Sequence, residues 1–197
     1  MSDESADELL AATHRALCRH GYADLTLRHI AAESDRSKAT IHYHYHGKDE
    51  LFVAFLDYLY ERYTEAARAV DGTPGREQLR SLLELVLDDG AHAGPGFATA
   101  LLEVRAQAPY DETVRNHLRR FDEFLVERLE AVIEDGTERG EFDDAVDPGR
   151  AAERLATLIE GARARGAVAD ERYRVVEEYV ERELLSAEGA RFGEAGR

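Results

Sequence analysis

The chain has 197 residues, enough for one or two domains with a real core, and 44% of them are hydrophobic. Its 41 acidic residues outnumber the 25 basic ones for a formal charge of −16, and it carries one cysteine, Cys18, and no tryptophan. These figures exclude an intramolecular disulfide, a multi-cysteine metal site and a uniformly basic surface, and with no signal peptide and no apolar run near the ~18 residues that span a bilayer, the expected location is the cytoplasm.

Runs of Ala, Leu, Glu and Arg favour helix almost everywhere, so the expected fold class is all-α, with about nine helices. A capping box, Ser5-x-x-Glu8, predicts the start of helix 1, with Leu9, Ala12, Thr13, Ala16 and Leu17 at helical spacing. It ends at His20-Gly21, where glycine accepts the left-handed conformation. Cys18 lies within the apolar pattern and reads as a small buried hydrophobe.

Thr26 caps helix 2, with Leu27, Ile30 and Ala31 inward; Ser34-Asp35-Arg36 is a break, and Ser37 caps helix 3 from Lys38 to about His44. Gly47 ends that helix, and Lys48-Asp49 opens a long helix 4 with a stripe of Leu51, Phe52, Phe55, Leu59 and Tyr63. It runs to about Val70, a connector of roughly 30 Å. After the loop that starts at Asp71, helix 5 covers about Arg76 to Asp88, and Gly90 to Gly96 is a second break. Helix 6 covers about Phe97 to Gln107, and helix 7 about Asp111 to Thr137. Asp147-Pro148 is an N-cap followed by proline at the first helical position, opening helix 8 to about Arg165; helix 9 spans about Asp170 to Ser186.

Two short helices joined by a polar break, then a capped long helix, form the pattern of a helix-turn-helix, which lays its second helix in the DNA major groove. The charge distribution supports this locally. From Thr26 to Lys48 four bases (Arg28, Arg36, Lys38, Lys48) face two acids (Glu33, Asp35), so the segment is +2 and the remainder −18. Both lysines of the chain and half its histidines lie there. The acids elsewhere are scattered over most helices, which fits a surface kept soluble in a salt-rich cytoplasm better than a cation-attracting ligand domain. At 1 M salt the Debye length is about 3 Å, so short-range contacts would carry DNA affinity.

On helix 3, Lys38, Ala39, Thr40, His42 and Tyr43 can face bases and phosphates, with Ile41 pointing into the core. The Ser37 hydroxyl and the helix N-terminus favour a phosphate, Lys48 can reach the backbone beside the groove, and Arg28 a base edge or phosphate. The run His42-Tyr43-His44-Tyr45-His46 alternates as a strand would, which would align three histidines as a metal triad. No strand partner exists elsewhere in the sequence. The preferred reading therefore packs Tyr45 in the head, leaves the other aromatics to DNA, and expects no metal and no cofactor.

This order resembles the TetR/AcrR family of dimeric transcriptional regulators. The match covers about residues 6 to 63: Arg19-His20-Gly21-Tyr22, Leu25 through Ser34, Ser37 through Tyr45, and Gly47-Lys48-Asp49-Glu50-Leu51. The resemblance implies that Thr26, Arg28, Ser37, Lys38, Ala39, Thr40, His42, Tyr43 and Lys48 face DNA. The chain departs from the family pattern at Asp35-Arg36, where Gly-Val is usual, and at His42, where tyrosine is usual. Phe97, Ala108-Pro109, Gly140-Glu141-Phe142 and Asp147-Pro148 resemble the ligand domain of the BetI-type branch.

The resemblance implies a homodimer paired through its last two helices, for which Leu155, Leu158, Ile159, Ala162, Tyr173, Val176, Tyr179, Val180 and Leu184 are candidates. Packing within one chain would produce the same periodicity. The expected function is a homodimeric DNA-binding regulator, a repressor released by an unknown small-molecule effector, reading a pseudo-palindromic operator. Tyr58, Tyr63, Leu83, Phe97, Leu101, Arg105, Phe121 and Phe124 are candidates for the effector pocket. The expected domains are a head at 4–64 with its helix-turn-helix at about 26–45, a ligand-binding and dimerisation body at 65–188, and a frayed tail at 189–197. No di-iron Glu-x-x-His pair, phosphate loop or nucleophile elbow is present, which argues against an enzyme. The alternative functions are a histidine-based metal or pH sensor and a helical adaptor without DNA binding.

Overall fold

Nine α-helices and one short π-helical turn make up the regular structure of the described residues. They are α1 (Ser2–His20), α2 (Leu27–Glu33), α3 (Lys38–His44), α4 (Lys48–Ala69), α5 (Gly75–Leu87), α6 (Phe97–Arg105), α7 (Glu112–Glu138), α8 (Pro148–Gly166) and α9 (Arg172–Tyr179), then the π turn Val180–Leu184. The structure, a computed structural model, describes residues 2–34, 38–70, 75–87, 96–166 and 172–185. The Asp35-Arg36 turn, Ser37, the loops beginning at Asp71 and Gly90, and the tail at 189–197 fall outside them.

The chain divides into two compact units, Met1–Tyr63 with Asp89–Arg119, and Thr64–Asp88 with Arg120–Arg197. In the first, Leu9, Ala12, Ala16 and Leu17 of α1 enclose a core with Ile30 of α2, Ile41 of α3, and Leu51, Phe52 and Phe55 of α4. Ala100 and Val104 of α6 and Val114 and Leu118 of α7 complete it. Each fully buried Leu, Ile or Phe contributes about 1.5–3 kcal/mol. The left-handed Gly21 (φ 72°) ends α1, its N–H bonding the Leu17 carbonyl at 2.9 Å. Two arginines of α1 hold the end of α2: Arg15 donates to the Glu33 carbonyl (2.7 Å), and Arg19 pairs with the Glu33 carboxylate.

In the second unit, Leu79, Leu82, Leu83, Val86 and Leu87 of α5 are buried, as are Leu125, Leu129, Val132 and Ile133 of α7. Ala152, Leu155 and Ile159 of α8 and Val176 of α9 share that burial. The N–H groups of Gly75 and Arg76 in the first turn of α5 donate to the Glu141 carboxylate at 3.2 and 3.0 Å, where a negative charge suits the helix dipole. Asp147 caps α8 by accepting from the Arg150 N–H (3.0 Å), with Pro148 following as expected.

Two expectations need correction. Helix α1 begins at Ser2 rather than at a Ser5 cap, so Ser5 is a buried residue inside the helix. The last helix is not one α-helix to Ser186. It loosens into the π turn, where the Leu185 N–H bonds the Val180 carbonyl (3.2 Å) and Leu185 bridges to Phe142 in antiparallel fashion. No helix among the described residues is long and apolar enough to cross a membrane.

Candidate nucleic-acid interface

The Thr26 hydroxyl accepts from the His29 N–H at 3.2 Å with Thr26 extended (φ −131°, ψ 157°), which fixes where α2 starts. Ile30 anchors that helix inward and leaves Arg28 exposed. Helix α3 is set by Ile41, fully buried, and by Tyr45, which packs against the same core. A 3.6-residue period then turns Ala39, His42 and Tyr43 outward together, and Tyr43 is 85% exposed. Thr40 is half-buried on the flank. Lys38 begins the helix, but its side chain, like all of Ser37, is outside the described residues.

Lys48 is more constrained than a solvent lysine. Its Nζ donates to the Tyr22 carbonyl at 3.4 Å and sits 4.9 Å from the centre of the Tyr22 ring, which itself packs on Phe52 at 4.8 Å. Burial pulls the Lys48 ammonium below its ordinary pKa, and neighbouring Asp49 opposes that shift. At the α3–α4 corner, one oxygen of Glu50 accepts from the His46 backbone N–H and approaches its ring Nδ1, both at 2.7 Å. The backbone N–H is the main reason the Glu50 carboxyl lies below the usual range, with the His46 ring second. The spacing of Glu50 behind the helix start was the available signal for this brace.

Two further features carry no sequence signal, because they join distant segments. His20 and His29 stack at 3.9 Å, and the buried Nδ1 of His29 has no hydrogen-bond partner among the described residues. Glu103 of α6 accepts from the N–H groups of Tyr22 and Ala23, at 2.6 and 3.2 Å. Among the described residues no three His, Cys, Asp or Glu side chains converge on a metal position.

The pocket candidates are spread over both units. Tyr58, Tyr63, Phe97, Leu101 and Arg105 belong to the first, where Tyr58 and Leu101 pack against the head core and Phe97 lies 5.1 Å from the His14 ring. Arg62 covers the Tyr58 ring at 5.5 Å. Leu83, Phe121 and Phe124 belong to the second; Leu83 is a core residue, and Arg68 covers the Phe124 ring at 5.6 Å.

Of the dimer candidates, Leu155, Ile159, Val176, Val180 and Leu184 are completely enclosed within the single chain, and Ala162 is nearly so. Packing within one chain is sufficient to account for the burial of these side chains. Leu158 and Tyr179 do keep surface, as does Val175, which sequence reasoning passed over. The Tyr173 side chain is outside the described residues.

The family model for bacterial regulatory proteins of the tetR family matches residues 9–55. The model for the C-terminal domain of BetI-type transcriptional repressors matches residues 74–185, more than half the chain. The chain belongs to the TetR family. As a TetR-family protein it is a DNA-binding transcriptional regulator and not an enzyme. It is similar to the HTH-type transcriptional regulator BetI of Ectopseudomonas mendocina, 28% identical over 91% of this chain and 93% of that protein. The crystal structure of a TetR transcription regulator from Haloarcula marismortui is 40% identical, covering 93% of this chain and all of that one, with a TM-score of 0.81. A transcriptional regulator from Saccharomonospora viridis, solved in complex with choline, shares the fold at 23% identity and a TM-score of 0.81, over 93% of this chain and 99% of that one.

Proposed function

We propose that this TetR-family regulator is a homodimeric repressor that reads a pseudo-palindromic operator and is released by a small-molecule effector. The head is residues 4–64, with the helix-turn-helix at about 26–45, and the body is residues 65–188. The observation that carries the reading is the outward face of α3, where Ala39, His42 and Tyr43 stand opposite the buried Ile41. Small Ala39 admits close approach to a base edge, and His42 and Tyr43 supply hydrogen bonds. Thr26, Arg28, Thr40 and Lys48, together with Ser37 and Lys38 on the sequence pattern, supply phosphate and flanking contacts. Two heads of a dimer would then address half-sites about 34–36 Å apart or a multiple of that.

Gel-shift and footprinting on the DNA upstream of the chain's own gene test the head. Lys38→Ala, His42→Ala and Lys48→Ala combined should abolish the footprint; binding that survives all three places the interface elsewhere. For the body, choline is the first compound to try, because the Saccharomonospora viridis regulator was solved with it. An effector that binds the released conformation better should raise thermal stability and lower operator affinity together. Choline with neither effect is discarded as the effector.

A further inference from the structure

Glu103 and Lys48 address the two ends of one peptide group. The carboxylate of Glu103 accepts from the Ala23 N–H, and the Lys48 ammonium donates to the Tyr22 carbonyl, which is the other half of that same peptide. A second bond, from the Tyr22 N–H at 2.6 Å, fixes the carboxylate against the turn. The Tyr22 carbonyl also accepts from the Leu25 N–H at 3.3 Å, so both its lone pairs are in use. An anion on the N–H and a cation on the C=O polarise the peptide in the same sense, and each bond strengthens the other.

The fit is close. A Cβ on Gly21 would come within 2.7 and 2.8 Å of the two Glu103 carboxylate oxygens, so the carboxylate occupies space that glycine leaves. The result is a continuous path from α6, through the α1–α2 turn, to the first residue of α4. The Tyr22 ring under Nζ limits the ammonium further, and the Tyr22 carbonyl takes one of its three N–H donors.

We propose that Glu103 is a positioning residue for DNA binding: through the Tyr22–Ala23 peptide it holds the Lys48 ammonium where that group meets an operator phosphate. This rests on the reading of Lys48 as a phosphate contact. A cation held in place before binding loses less side-chain freedom when it engages DNA. Glu103 touches no nucleic acid and acts only through the turn.

The test is a double-mutant cycle on the full chain, reading operator affinity by fluorescence anisotropy across a salt series. Lys48→Ala should weaken binding and flatten the salt slope by about 0.9, the contribution of one phosphate contact. Glu103→Gln keeps the shape but removes the charge; it should weaken binding about tenfold in the presence of Lys48 and leave the Lys48→Ala protein almost unchanged. Glu103→Asp, which keeps the charge and withdraws it by one methylene, should show the same dependence on Lys48 and covers the case in which the Gln variant folds poorly. Equal losses with and without Lys48 would mark Glu103 as a mere support of the fold and overturn the proposal, as would no loss at all. A Lys48→Ala protein with unchanged affinity and salt slope would instead refute the phosphate contact itself, and the proposal with it.

Discussion

Gly136 in α7 and Phe142 in the following loop occupy adjoining space with no room for another atom. A Cβ on Gly136 would overlap the Phe142 ring, and a Cβ on Gly75 of α5 would lie 2.7 Å from the Gly136 Cα. Phe142 is enclosed and tied down by its bridge to Leu185, so it cannot swing aside. Gly136→Ala should therefore destabilise the second unit. Overpacking costs about 1–3 kcal/mol, while the gain in helix propensity is about 1 kcal/mol. Urea unfolding should show a lower midpoint, and Phe142→Leu in the same chain should recover part of the loss. A midpoint that rises on Gly136→Ala would mean that the loop yields.

His14 makes the stability of the first unit depend on pH. Its ring lies 5.1 Å from Phe97 and 6.3 Å from Phe55. Burial is the main reason its imidazole titrates below the ordinary value, and Arg62 and Arg15 add repulsion in the same direction. Above about pH 6.5, the value in an unfolded chain, the ring is neutral in both states and nothing is lost. As pH falls below that, through the lowered folded value, the unfolded state takes up the proton first and stability drops. His14→Leu should remove this component, so the gap in Tm between variant and parent should shift in favour of the variant between pH 7.5 and pH 5.5. A gap that stays constant over that range would show that His14 does not titrate differently on folding.

The boundaries of α2, α3 and α4 were legible because each is set by neighbours in sequence: Thr26 caps, Gly47 breaks, and Ile41 marks the inward face. The start of α1 was misplaced because Ser5-x-x-Glu8 is a local pattern that also fits a helix interior. The π turn escaped because the four-residue spacing of Val176, Val180 and Leu184 fits an α-helix and an i to i+5 turn alike. Glu103 was invisible for a different reason, since its partners are 80 and 81 residues away and no periodicity joins them. Periodicity likewise located the apolar stripe of α8 but could not say what covers it. Leu155 and Ile159 are covered from within the chain.

Thr26 caps α2 and is proposed to face DNA as well, and the two tasks can be separated. Thr26→Ala removes the acceptor for the His29 N–H and should cost about 1 kcal/mol of stability. Thr26→Ser keeps the oxygen and should restore the stability. If the serine variant also restores operator affinity, the hydroxyl is sufficient for both tasks. Unchanged stability in Thr26→Ala would show that water replaces the cap.

If the proposed homodimer pairs through α8 and α9, the surface left on α8 is where a second copy should sit. Arg154, Thr157, Leu158, Gly161 and Arg165 recur at helical spacing and all keep surface, and nothing lies within 4 Å of a Cβ placed on Gly161. In an isolated chain Gly161→Ala would only improve helix propensity, a gain of about 1 kcal/mol. Against a closely approaching partner helix the same methyl group would instead obstruct association. Light scattering and Tm measured over a hundredfold range of concentration distinguish these cases. We expect the parent to be a dimer with a concentration-dependent Tm. Gly161→Ala should shift it toward monomer, and Leu158→Glu with Tyr179→Glu should complete the shift. A triple variant that remains dimeric would move the interface away from α8 and α9.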